Sequence, residues 1–248
     1  MELNAIEAIL LIIAALFAVA VNTITGGGTL VTLPVLLAIG VPLRQAVSIN
    51  MVALAIGGIG SVWGGLESLK KNSKTSLLVL IPTALGAAVG AILLVITPLQ
   101  YLEFIIPVLV FVSTLSLLAP QSRRRLSYRW ILSFAAIFLV AIYGGFFGAG
   151  MGVMLVSVLT IFNYGEMHAV NSLKNLQQVF INAISAIILM QNGLVLLEPT
   201  LFLVIGGLIG GYATGKYLER ISAKALRFLM ISIGFTLSAV LTVRLLVF

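Results

Sequence analysis

Lys174 stands inside an apolar run, in HAVNSLKNLQQVFINAI at 168–184. Around it Asn171, Asn175, Gln178 and Asn182 recur at three- and four-residue steps, so a helix through this run carries one polar stripe. Charge plus amide donors in such a place is the chemistry of anion binding. A cation at the bilayer centre costs ~2.5–3.5 kcal/mol on insertion scales, so something must offset it. An internal partner is hard to find: the chain has no Asp, and Glu2, Glu7, Glu67, Glu103, Glu166, Glu198 and Glu219 all fall in loops or near segment ends. Two readings of Lys174 follow. An anionic substrate takes the missing role, or the side chain snorkels to the cytoplasmic interface while the amides bond neighbouring helices.

A second group is NTITGGGTLVTLP at 22–34, where three consecutive glycines interrupt an apolar segment. A helix broken inside a bilayer leaves backbone groups that only protein or a water-filled cavity can satisfy. A helix restarting at Thr29 offers free N–H groups and a positive dipole end, and Gly26, Gly27 and Gly28 let an anion approach the backbone. Asn22, Thr23, Thr25 and Thr29 add neutral donors. The stretch GGFFGAGMG at 144–152 repeats the pattern, with Gly148, Gly150 and Met151 in the corresponding place.

The elements that must position these residues are membrane segments. Of 248 residues 61% are hydrophobic and 8% charged, and mean hydropathy is +1.22. A soluble domain carries roughly 25% charged residues, so this chain is an all-α polytopic membrane protein with the lipid bilayer as its partner. The +7 formal charge lies in short runs between apolar segments, KKNSK at 70–74 and RRRLSYR at 123–129, so nucleic acid is not an expected partner. The absence of cysteine removes disulfides, thiolate metal sites and cysteine nucleophiles. The N-terminus has no basic stretch ahead of its apolar run, so a cleaved signal peptide is not expected.

Ten apolar runs are visible: 5–21, 29–40, 46–66, 75–96, 98–119, 130–147, 151–163, 169–190, 195–214 and 225–247. A crossing takes ~20 residues, and 29–40 and 151–163 fall short of it. The run at 17–40 parallels 138–162, QAVSIN at 45–50 parallels HAVNSL at 168–173, and GAAVGAILL at 86–94 parallels GGLIGGYAT at 206–214. A five-segment unit therefore occurs twice at an offset of about 120 residues. The expected division is 1–119 for the first repeat, 120–129 for a basic cytoplasmic linker and 130–248 for the second repeat. In each repeat the second segment is short and follows a Gly-rich break. The later glycine stretches, 86–90 and 206–211, lie inside continuous segments and read as close-packing surfaces.

Basic residues orient the two units. Lys70, Lys71 and Lys74 place one loop in the cytoplasm, Arg123, Arg124, Arg125 and Arg129 a second, and Lys216, Arg220, Lys224 and Arg227 a third. The loops 97–101 and 191–198 carry neither Lys nor Arg and face outward. Equivalent loops thus lie on opposite sides, and the halves are inverted relative to each other. Arg44 and Arg244, expected outside, run against the charge rule. Inverted repeats suit a carrier that opens a central site to each side in turn. In the first half Ser48 and Asn50 stand near the start of the segment equivalent to the Lys174 stripe, so the site is expected to be asymmetric.

The arrangement resembles the sulfite exporter TauE/SafE family, also called the TSUP permeases. The residues that carry the likeness are TGGGTLVTLPVLLAIGVPLRQAVSINM at 25–51 and GAGMGVMLVSVLTIFNYGEMHAVNSLKNL at 148–176, with TALGAAVG at 83–90 and GGLIGGYATG at 206–215. The resemblance implies a transporter of small sulfur-containing or organic anions (sulfite, sulfonates, thiosulfate, carboxylates) in a prokaryotic-type cell membrane, with no cofactor. Lys174 departs from a symmetric site, since Met51 or its neighbours stand at the equivalent place. An anion channel is the nearest alternative. An intramembrane enzyme fits poorly: His168 is the only histidine, and neither G-x-S-G nor H-E-x-x-H occurs.

Overall fold

A computed structural model describes residues 3–71, 73–118, 130–217 and 223–247. The expected linker at 120–129 lies outside them, as do Glu2, Glu219, Arg220 and the side chains of Lys216 and Arg244. Among the described residues there are twelve helices and no strand, as lipid demands of a chain whose backbone must bond to itself. They are α1 Ala5–Thr25, α2 Thr29–Ala38, α3 Leu43–Gly57, α4 Ile59–Gly64, α5 Leu66–Lys71 and α6 Ser73–Ile96, followed by α7 Leu99–Leu118, α8 Trp130–Phe146, α9 Met151–Ile161, α10 Met167–Gln191, α11 Leu197–Tyr217 and α12 Ala223–Val247. Five stretches are long and apolar enough to cross a membrane: α1, α3 joined with α4, α6, α10 and the first part of α11.

The short second segments are real. α2 has 10 residues and α9 has 11, so each is about 15 Å long at ~1.5 Å per residue, half the ~30 Å hydrocarbon core. The segment expected at 46–66 is divided instead, because Gly58 and Gly65 break it into α3, α4 and α5. The first segment runs further than expected. It stays helical to Thr25, so Asn22, Thr23 and Thr25 form its last turns rather than part of the break.

Local signals set the ends. Asn4 caps α1 by accepting from Glu7 N at 2.9 Å while Glu7 Oε2 accepts from Asn4 N at 2.9 Å, a closed capping box. Leu3 N donates to Glu198 Oε1 at 3.1 Å and ties the start of α1 to the start of α11. Arg44, out of place by the charge rule, donates to the Thr97 carbonyl at the end of α6. Arg227 does the same for Leu117 at the end of α7. Each cation meets the negative end of a helix dipole.

Helix packing follows a matched scheme. α6 lies along α8, and α1 lies along α11. α10 packs on α6 and α3 packs on α11, while α3 meets α10 and α7 meets α12. Gly86 and Gly90, and Gly206 and Gly210, line the seams of the first two pairs, while Gly207 and Gly211 face α3. A Cβ on Gly86 or Gly90 would run into the α8 backbone at Phe138 and Ile142. One on Gly206 or Gly210 would run into the α1 backbone at Ile12 and Leu16. Backbones approach this closely only where side chains are absent, and in lipid such close packing is what holds helices together.

Candidate functional site

The first break is built by glycine. Gly26 closes α1 with φ +80°, donating to Asn22 O at 2.9 Å and Val21 O at 3.2 Å. A side chain is strained there by ~1–2 kcal/mol. Leu30 N and Val31 N bond back to Gly27 O and Gly28 O at 3.0 Å each as α2 starts. Among the described residues the amides of Gly27, Gly28 and Thr29 donate to no backbone carbonyl, as expected at a helix N-terminus. The second break uses Gly148 at φ +80° and Gly150 at φ +71°, and the amides of Ala149 and Gly150 are likewise without a backbone acceptor. Gly144 and Gly145 belong to α8 rather than to this break.

The two breaks meet. Gly152 N donates to Gly26 O at 3.4 Å, and a Cβ on either residue would strike the other's backbone. Gly148 faces the same junction, with a Cβ there 4.0 Å from Thr29 Oγ1. The elbow is closed rather than an open cradle. Gly26, Gly27 and Gly28 are all buried, and a side chain on Gly27 would push into Met230 of α12. A cavity of about 460 Å³ lies away from the breaks, between α2 and α12, and apart from Ser232 and Thr236 its lining is apolar.

Lys174 neither snorkels nor meets a carboxylate. It is 0% exposed, and Nζ donates to Thr23 O at 2.5 Å and Asn22 O at 3.5 Å, the carbonyl end of α1. No described carboxylate is buried. One turn along α10, Gln178 donates from Nε2 to Asn22 Oδ1 at 3.1 Å, and the same nitrogen lies beside Gly152. Gln178 therefore stands between the two breaks. Its Oε1 and the Oδ1 of Asn175 are buried without a partner. Asn171 is half-buried.

The remaining expected residues divide. Thr29 accepts from Asn50 Nδ2 at 2.8 Å, and Thr32 donates to Asn50 Oδ1, so α2 is fastened to α3 by a buried network. Three hydroxyls expected as donors spend their protons on their own helix: Thr23 on Val19 O, Thr25 on Val21 O and Ser48 on Arg44 O, each at 2.9 Å. A β-hydroxyl in a helix reaches the carbonyl four residues back, which a list of polar positions does not reveal. Met151 belongs to an apolar cluster with Ala87, Ala141, Leu155 and Ile181. His168 is exposed at the start of α10.

Sequence reasoning missed four participants. Thr32 follows Thr29 by three residues, one helical turn, and that spacing was the available signal. Gln177, fully buried, donates to Thr83 Oγ1 at 2.9 Å and leaves its Oε1 unpartnered. Ser185 extends the stripe beyond Asn182, and both carry a buried polar atom without a partner. Tyr143 donates to Ala149 O at 2.5 Å inside the second break. Nothing local marks that tyrosine, since its partner lies across the turn.

Comparison with known proteins agrees with this architecture. The family model described as "Sulfite exporter TauE/SafE" matches residues 11–241. The chain is similar to the probable membrane transporter protein ORF9 of Sinorhizobium sp, 26% identical over 235 residues, covering 92% of this chain and 89% of that one. It is also similar to a probable membrane transporter protein of Haemophilus influenzae, 25% identical over 226 residues, with 88% of each chain covered. The probable membrane transporter protein YfcA of Escherichia coli K12 is 29% identical over 147 residues, 57% of this chain and 55% of its own. No solved structure matches.

Proposed function

The chain belongs to the sulfite exporter TauE/SafE family and is a multi-pass membrane transporter, and from that premise we propose that it is a secondary carrier for a small sulfur-containing anion. Sulfite or an organosulfonate is the proposed substrate, and the cell membrane the proposed location. One observation carries this reading: the two breaks meet where the end of α1 touches the first turn of α9, with Gly148 facing Thr29 at the start of α2 and the buried Lys174 side chain held at the same end of α1. Backbone amides at Gly27, Gly28 and Thr29 and at Ala149 and Gly150 are the donors that a sulfonate or sulfite oxygen requires. Lys174 supplies the counter-charge, and Gln178, Asn175, Asn171 and Asn50 supply orientation.

The mechanism is alternating access between two inverted halves, 1–119 and 130–248. What supports it is the packing scheme, whose strongest pairings keep their counterparts when the two sets of five are exchanged. The ties between Leu3 and Glu198 and between Arg44 and Thr97 also join ends that the charge pattern assigns to one face. In the conformation described here the breaks are pressed together at Gly26 and Gly152. Transport requires them to part, first toward one side and then toward the other.

The test is binding and flux with the purified protein. Thermal-shift titration with sulfite, thiosulfate, sulfoacetate, sulfate and lactate identifies the anion, and uptake into proteoliposomes is expected to saturate with it. Lys174→Ala and Gly27→Leu are each expected to weaken anion binding about tenfold or more, the size of a lost charged hydrogen bond, while folded protein is still recovered. If both variants bind like the parent, the anion site lies elsewhere. Flux that never saturates makes the protein a channel.

A further inference from the structure

The Lys174 ammonium has an unusual partner. The last carbonyls of a helix lack intrahelical amides and carry the negative end of the dipole. α1 ends inside the protein at Thr25, so its terminal carbonyls face the interior, and Nζ lies against Thr23 O at 2.5 Å and, at 3.5 Å, against Asn22 O, which also accepts from Gly26 N. In carriers built from interrupted helices, such carbonyl ends hold the coupling Na⁺, while the opposed N-termini hold the anion. The surroundings are rich in acceptors. Gln178, anchored through its nitrogen to Asn22 Oδ1, leaves a buried Oε1 with no donor, and the Asn175 Oδ1 beside Lys174 in the chain is in the same condition. Orphaned oxygens call for a cation or a donor, and an anion would not satisfy them.

We propose that the carbonyl end of α1, with the backbone oxygens of Thr23 and Asn22, is a monovalent-cation seat that this chain fills with its own Lys174 ammonium. The carrier therefore needs no soluble Na⁺: the cation is tethered to α10, whose next turn grips the same end of α1 through Gln178. Only the consequence for flux rests on the anion-carrier reading; the seat itself does not.

Truncating the lysine opens the seat to added cations. Lys174→Ala removes three methylenes and the ammonium, a group the size of n-propylammonium. The purified variant is expected to have a lowered thermal midpoint and to regain most of it, saturably, with n-propylammonium chloride, while tetramethylammonium chloride has no effect and the parent responds to neither. Lys174→Gln, which adds an amide oxygen to the vacated seat, guards against a variant that fails to fold; it is expected to be stabilised by NaCl over choline chloride. In proteoliposomes the parent's anion flux is expected to be equal in Na⁺ and choline media. Flux of Lys174→Ala should fall about tenfold or more and recover with n-propylammonium.

The outcomes separate the two readings. If propylammonium or Na⁺ stabilises the variants and no anion is carried, the seat stands and the carrier reading fails. If neither cation stabilises either variant, or the parent's flux requires Na⁺, the seat is overturned while the carrier reading survives.

Discussion

The two helix breaks share a backbone design and differ in chemistry. At the first, the end of α1 is met by a lysine and a glutamine from α10, and the start of α2 is fastened to α3 through Thr29, Thr32 and Asn50. At the second, the turn between α8 and α9 is closed by its own tyrosine, Tyr143 on Ala149 O, and Met151 turns into an apolar cluster. In α3, near the place that the sequence parallel sets against Lys174, Met51 is buried in the main hydrophobic core. The main helix pairings, α6 on α8 with α1 on α11 and α10 on α6 with α3 on α11, come in matched sets, whereas among the described residues the buried cation lies on α10 alone. The main packing is thus matched, and the buried polar contacts gather at the first break, supplied by α1, α2 and α3 on one side and α10 on the other.

Substitution can break that contrast or sharpen it, and the glycines give the largest effect. Gly26→Ala places a methyl against the Gly152 backbone at a left-handed φ, an expected loss of about 3 kcal/mol or more. Gly148→Ala has the same φ, but the nearest atom is the Gly144 carbonyl at 3.0 Å, and about 1–2 kcal/mol is expected. Denaturation of the two variants in detergent should rank them in that order; equal losses would mean that the breaks do not press on each other through Gly26.

Asn50→Leu strips both threonines of α2 of their partner and is expected to cost about 2–4 kcal/mol. Its loss should show as faster hydrogen exchange in α2 than in α9, and equal exchange in the two would argue against the fastening role. The smallest effect belongs to Tyr143→Phe. Removing one hydrogen bond to Ala149 O costs about 1 kcal/mol, and anion affinity is expected to change less than twofold. A large affinity loss there would put the second break on an equal footing with the first.

Much of this was legible in the residues. The two short segments after glycine clusters appear as α2 and α9, and the glycines at 86–90 and 206–211 pack as read, because apolar length and missing side chains act locally. The stripe around Lys174 was visible as spacing, yet its partner was not. Helix C-terminal carbonyls exist in every helix and carry no letter of their own, so the backbone of Asn22 and Thr23 could not be picked out as what holds the ammonium. Thr23, Thr25 and Ser48 misled for the complementary reason: each bonds a carbonyl one turn behind, which position in the list does not show.

The sequence by itself determined that this chain lives in lipid as a bundle of helices, where it breaks, and that one cation had to be accommodated without an acid. Those follow from transfer free energies and backbone conformation, which each residue carries with it. Tertiary structure alone decided that the breaks touch at Gly26 and Gly152, that Lys174 reaches across 151 residues of chain to Thr23, and that the elbow is shut in this conformation. Such contacts depend on how distant helices approach, and that is a property of the packed bundle as a whole.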